Sequence, residues 1–269
     1  MPFIPNTDSD RREMLAVIGK PSVESLFEDI PEKLRYPKLD LPPALSEMEI
    51  LREIEALAAK NLSSSSCAWF LGAGAYNHFI PSLIPALASR GEFLSAYTPY
   101  QPEVSQGTLQ AIFEYQSMAG SLFGVEAMNA SHYDGATALA EAVLMAARNA
   151  PGRDTVVLPS ALHPEYKEVI RTYLEPLSVK IREYPESPAA AASSLDASVS
   201  CLVAAYPDFE GRVHDLSGVA EAVHAAGALF LVHADPILLG LFKSPGELGA
   251  DIVTAEGQAL GNAMNYGGP

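Results

Sequence analysis

From residue 106 to 232 the chain alternates helical segments with short apolar runs, and that alternation limits its architecture more than any other feature. Residues 106–123 read as an amphipathic helix stopped by Gly124. Residues 136–149 read as a second, with Leu139, Val143 and Ala147 spaced along one face. Strands are expected at 155–158, 179–181, 199–205 and 228–232, with helices at 165–173 and 216–225. Most of these strands are separated by a helix, so the connections are crossovers and not hairpins. A mostly parallel sheet covered by helices on both faces follows. The tract Ala189-Ala-Ala-Ala192 reads as a loose loop or a helix start, and there is no repeat of solenoid period.

The first 62 residues have a different texture: short helical stretches punctuated by proline. Thr7 or Asp8 is suited to cap a helix through Val17, stopped by Gly19 and Pro21. Ser46-Glu-Met-Glu49 has the capping-box spacing and opens a helix with Ile50, Leu51, Ile54 and Leu57 on one face. Ser63 to Ser66 is a four-serine break. The organisation expected is a helical N-terminal arm over 1–62 and an α/β domain over 63–269.

Charge narrows the partners. There are 17 Lys and Arg against 33 Asp and Glu, a net charge of −16. Nucleic acid and anionic membrane surfaces need a basic footprint that this chain lacks. No apolar run reaches the ~20 residues of a membrane span. The two cysteines, Cys67 and Cys201, share no metal-ligand spacing, and Cys201 sits in an apolar run that reads as core. The six histidines form no zinc pattern either. A reducing cytoplasm is the expected compartment, and no metal site is expected.

Three strings carry more specific information. The first is Tyr97-Thr-Pro-Tyr-Gln-Pro-Glu-Val-Ser-Gln-Gly107. Its two prolines stiffen the backbone and present Tyr97, Tyr100, Gln101 and Glu103 from a pre-ordered loop, either a plain connector or a surface for a ligand or partner. The second is Asn129-Ala-Ser-His-Tyr-Asp-Gly-Ala-Thr137. Its Asp134-Gly-Ala-Thr137 turn at a helix start is either an ordinary Asp N-cap or an anion-binding turn. The third is Phe70-Leu-Gly-Ala-Gly-Ala-Tyr-Asn-His-Phe-Ile-Pro81.

Together with Val232-His-Ala-Asp-Pro-Ile and Asp251-Ile-Val-Thr-Ala-Glu-Gly-Gln-Ala-Leu-Gly261, these strings resemble the α subunits (subunit 1) of two-subunit glycine dehydrogenase (decarboxylating), the P-protein of the glycine cleavage system. The resemblance runs along the whole chain. It implies the α/β fold of pyridoxal-phosphate-dependent transferases, aspartate-aminotransferase-like (fold type I), with the large domain present. It also implies that the family's subunit continues past Pro269, so that a C-terminal small domain is expected to be missing.

In that fold the turn equivalent to Asp134, Gly135 and Thr137 cradles the cofactor phosphate, and an Asp at the position of Asp235 pairs with the pyridine nitrogen. Here Pro236 and Ile237 follow Asp235, where cofactor-bearing relatives have a small residue, so a purely structural Asp is the other reading. The imine-forming lysine is absent: Gln258 or Ala259 stands at its place, and no lysine follows Lys243. The resemblance therefore implies no covalent cofactor and no catalytic residue in this chain, with pyridoxal phosphate held by a β subunit in an α2β2 assembly. The assembly would decarboxylate glycine and pass an aminomethyl group to the lipoyl arm of the H-protein. Tyr97, Pro99, Tyr100, Gln101 and Glu103 are the expected lining of the substrate or lipoyl entrance.

Three rival readings stand beside this one. A truncated paralogue would bind the β subunit without supporting turnover. An independent pyridoxal enzyme conflicts with the missing lysine. A dinucleotide-binding enzyme conflicts with Gly72-Ala-Gly74, which lacks the third glycine at the required spacing.

Overall fold

A computed structural model of the chain describes residues 5–63, 66–70, 72–74, 76–94, 98–185 and 187–264. They fall into two compact units, 1–63 and 64–269.

The first unit is built on two capped helices. α1 (Asp8–Ile18) starts at Thr7, whose hydroxyl accepts from the Asp10 amide at 3.3 Å while the Thr7 amide donates to Asp10 Oδ2 at 2.7 Å. It ends at Gly19 in the left-handed region. α2 (Glu47–Ala58) opens on the Ser46–Glu49 capping box, the Ser46 amide donating to Glu49 Oε2 at 2.8 Å. Each box satisfies amide groups that a helix start otherwise leaves without partners. Its apolar stripe of Ile50, Leu51, Ile54 and Leu57 stays about half exposed.

The second unit contains α3 (Leu83–Ala88), α4 (Gly91–Leu94), α5 (Pro102–Phe123), α6 (Gly135–Asn149), β1 (Thr155–Pro159), α7 (Pro164–Leu174), β2 (Lys180–Tyr184), α8 (Pro188–Ala192), β3 (Val199–Tyr206), α9 (Val219–Ala225), β4 (Leu229–Ala234) and β5 (Ile252–Ala255). The five strands pair in the order β2-β1-β3-β4-β5, all parallel.

Side-chain alternation distributes the core. Val157, Leu202, Ala204, Phe230 and Val232 face one side, packed with residues of α5, α8 and α9. Val156, Leu158, Cys201, Val203 and Leu231 face the other, packed with α6 and α7. Every residue of the central strand β3 is buried, the run of apolar residues expected of a parallel strand covered on both faces. Cys201 is fully buried and its thiol is pushed up to about 12 by burial, so it is packing and not a nucleophile.

Two elements differ from the sequence reading in informative ways. α5 begins at Pro102 instead of residue 106, because proline already has the backbone angle of a first helical turn and needs no amide there. Ser105, at φ −107° and ψ 15°, marks the break between that turn and the rest. β5 has no counterpart in the sequence reading; four residues are too few to show a period.

The C-terminus of α5 is locked by a backbone crossing. Gly124 caps the helix at φ +71°, and the Gly246 amide donates to the Phe123 carbonyl at 3.0 Å. A Cβ on Gly246 would lie 1.8 Å from the Gly124 carbonyl oxygen, so no other residue fits at that crossing. Among the described residues no helix is long and apolar enough to cross a membrane.

Candidate functional site

The carboxyl ends of parallel strands are where open α/β sheets place ligands, because the strand-to-helix loops diverge there. In this chain a cleft of about 130 Å³ lies at that edge. Its walls include His163 and Tyr166 of the β1–α7 connection and α7, Phe209 after β3, His233 and Asp235 at the end of β4, and Glu256, Gln258 and Ala259 after β5. Gly74, Tyr76 and His78 line it as well.

The N-terminus of α6 lies against this wall. Asp134 caps it: its Oδ1 accepts from the Thr137 amide at 2.7 Å and from the Thr137 hydroxyl at 2.9 Å. The Thr137 hydroxyl oxygen in turn accepts from the Asp134 amide at 3.2 Å. The next free donor, the Gly135 amide, is taken by Glu256, whose Oε2 accepts it at 2.8 Å. The other oxygen of Glu256 accepts from the Gln258 amide at 3.1 Å. A helix N-terminus favours negative charge, and a side chain from 121 residues away supplies it.

The space over the turn is filled too. A Cβ on Gly135 would lie 2.8 Å from the Tyr166 hydroxyl, 3.1 Å from Glu256 Cβ and 3.3 Å from His233 Cε1. The rings are stacked into one wall. His163 and Tyr166 have centroids 5.0 Å apart and nearly parallel planes, while Phe209 meets His163 edge-on at 4.6 Å and His233 meets Tyr166 edge-on at 5.1 Å.

Both ring nitrogens of His163 are occupied. Nδ1 accepts from the Glu165 amide at 3.2 Å, so Nε2 carries the proton and donates to the Ala73 carbonyl at 3.1 Å. That bond ties the 72–74 turn to the cleft. His233 Nδ1 lies 2.9 Å from Thr254 Oγ1. Burial lowers the His233 pKa to about 4, so its ring is neutral at pH 7. Burial first, then the carboxylates of Glu256 and Asp134, raise the Tyr166 phenol well above its ordinary range. Neither group is poised to give or take a proton near neutrality.

Asp235 lines the cleft, but its Oδ1 accepts from the Ile237 amide at 2.8 Å and caps its own turn. Gln258 and Ala259 line the same cleft, on a short 3-10 turn where the Gln258 amide side chain bonds the Asn262 carbonyl. At the positions the resemblance implies for a covalently held pyridoxal phosphate, the residues present do not fit it: the Asp134–Thr137 turn already holds the Glu256 carboxylate, and Gln258 or Ala259, not an amine, stands at the expected lysine position.

The structure thus gathers Asp235, Gln258 and Ala259 around one cleft and brings Asp134, Gly135 and Thr137 to its wall through Glu256. The stiff loop is elsewhere. Tyr100, Gln101 and Glu103 are exposed at the start of α5, Pro99 is half-buried, and none of them lines this cleft. Tyr97 lies outside the described residues. Sequence reasoning missed Glu256, Tyr166 and the aromatic stack of His163 and Phe209, whose roles depend on strand order and not on local pattern. Among the described residues no group of three or more His, Cys, Asp or Glu is placed to hold a metal ion.

Comparison with known proteins converges on one family. The sequence profile described as glycine cleavage system P-protein matches residues 1–269. The chain is 51% identical over 275 residues to the probable glycine dehydrogenase (decarboxylating) subunit 1 of Thermomicrobium roseum, and 51% identical over 276 residues to that of Chlorobium phaeobacteroides. All of this chain is matched, and it spans 61% and 62% of the length of those relatives.

Among solved structures, the glycine decarboxylase (P-protein) of the glycine cleavage system in inhibitor-bound form superposes with a TM-score of 0.88 at 47% identity, over 100% of this chain and 61% of that one. SspA in complex with cysteine, at 11% identity and a TM-score of 0.53 over 71% of this chain and 57% of that one, shares the fold alone. The α/β fold is that of the pyridoxal-phosphate-dependent transferases, and the chain belongs to the glycine cleavage system P-protein family.

Proposed function

We propose that this chain is the α partner, without the imine-forming lysine, in a glycine dehydrogenase (decarboxylating) assembly, an oxidoreductase component of glycine catabolism. The reaction is decarboxylation of glycine on a pyridoxal phosphate carried by a β subunit. Transfer of the aminomethyl group to the lipoyl arm of the H-protein follows. The observation that carries the reading is the 51% identity, over the whole chain, to proteins described as subunit 1 of that enzyme. Gln258 or Ala259 at the position where the resemblance places the imine-forming lysine supports assigning the cofactor to the partner.

Within such an assembly, α2β2 in the reading adopted here, this chain's contribution is positional. Pro99 and Pro102 hold Tyr100, Gln101 and Glu103 in one geometry at the start of α5, where exposed polar side chains are available to a substrate or to the lipoyl arm. Tyr97, just before them, belongs to the same proposed entrance. A pre-ordered loop loses less entropy on meeting its ligand than a loose one.

The test is glycine–carbon dioxide exchange with H-protein, measured for the β subunit alone, for this chain alone and for the mixture. Activity only in the mixture is expected. Co-purification of the two subunits without any gain in rate would instead establish the interaction-only reading, in which the chain binds the β subunit and supports no turnover.

A further inference from the structure

We propose that the Glu256 carboxylate is a built-in substitute for the cofactor phosphate, and that it closes this chain's own cleft to pyridoxal phosphate and related phosphate monoesters. A phosphate needs amide donors with open space in front of them. At the start of α6 the Gly135 amide donates to Glu256 Oε2 at 2.8 Å and the Thr137 amide donates to Asp134 Oδ1 at 2.7 Å. The volume beyond Gly135 is taken by the Tyr166 hydroxyl, Glu256 Cβ and His233 Cε1. A second anion would have to share those donors with two carboxylates at hydrogen-bond range, where like charges repel.

The same side chain reaches the other end of the lost site. Its Oε1 accepts from the Gln258 amide at 3.1 Å, and Gln258 or Ala259 stands where the resemblance places the imine-forming lysine. One carboxylate therefore latches the segment after β5 onto the start of α6, spanning the ground between phosphate and aldehyde. A 130 Å³ remainder is small beside the ~300 Å³ or more of ordinary small-molecule pockets. This inference rests on the fold and on the contacts of Glu256, and it stands whatever the assembly catalyses.

The test uses 4-deoxypyridoxine 5′-phosphate, which lacks the aldehyde and so forms no imines with surface lysines, against 4-deoxypyridoxine and inorganic phosphate. Binding is measured by equilibrium dialysis to the unaltered chain, Glu256→Gln, Glu256→Ala and Glu256→Ser. The unaltered chain and Glu256→Gln, which keeps the volume filled, are expected to retain none of the three. Glu256→Ala and Glu256→Ser are expected to retain the phosphorylated ligand at least about tenfold more tightly than the unphosphorylated one, in competition with inorganic phosphate.

Phosphate-dependent retention by the unaltered chain would overturn the proposal. So would shortened variants that fold yet show no preference for the phosphorylated ligand. Should both shortened variants fail to fold, thermal unfolding of the unaltered chain decides. No shift with the phosphorylated ligand is expected, and a saturable upward shift would overturn the idea.

Discussion

At the scale of single residues the cleft is a set of satisfied groups, and its stability is set by how each is satisfied. Glu256 bonds two backbone amides, those of Gly135 and Gln258. Glu256→Ala strands the Gly135 amide at a buried helix start and opens a void beside Tyr166, a loss expected to be about 1–3 kcal/mol in urea unfolding. Glu256→Gln keeps one acceptor and the volume, and about 1 kcal/mol is expected. His233 adds a pH dependence. Its folded pKa of about 4 lies below the ordinary value of 6.5, so as pH falls the unfolded chain takes up the proton first. The stability contributed by the neutral ring is present in full above pH 6.5 and is lost as pH falls toward 4, by up to about 3 kcal/mol. Carboxylates titrate in the same range, so the quantity to read is the difference between the unaltered chain and His233→Gln over pH 7.5 to 4.5. His233→Gln should flatten the decline. Parallel curves would show that the ring is not buried neutral.

At the scale of elements, what was legible in the sequence was what is decided locally. Thr7 with Asp10, Ser46 with Glu49 and Asp134 with Thr137 each settle a helix start within four residues, and Gly124 settles a helix end by its own backbone. The short apolar runs of β1, β3 and β4 were readable for the same reason. The Gly135–Glu256 bond and the His163–Ala73 bond were not, since they join positions 121 and 90 residues apart. The first exists because parallel pairing lines up the strand ends, so that β5 delivers Glu256 to α6. The crossing of Gly246 over Gly124 is of this second kind, and it carries its own prediction. A Cβ at 246 meets the Gly124 carbonyl at 1.8 Å, so Gly246→Ala has to push the 244–249 turn away from the end of α5. A destabilisation of about 1–3 kcal/mol is expected, with faster hydrogen exchange in the last turn of α5 than in β3. Uniform exchange across both elements would show that the crossing does not hold α5 specifically.

At the scale of the whole molecule, the fold is that of a cofactor enzyme while the cleft has been turned inward: its helix start capped by a carboxylate, its aspartate capping its own turn, its tyrosine and histidine held neutral. In the assembly proposed above, such a chain would contribute through its surface, and this separates two classes of variant. If the start of α5 forms part of an entrance, Tyr100→Phe and Gln101→Ala in the mixed complex should raise KM for glycine or for H-protein by roughly tenfold, with kcat little changed, because they remove binding made equally in ground and transition states. Glu256→Gln, in the same complex, should leave both constants within about twofold, since Glu256 touches backbone amides and no reacting group. Steady-state exchange kinetics on the three variants distinguish the cases. Loss of kcat on Glu256→Gln with the loop variants silent would mean that the inner cleft, and not the loop, serves the reaction. Loss confined to the loop variants would place this chain's contribution at the start of α5.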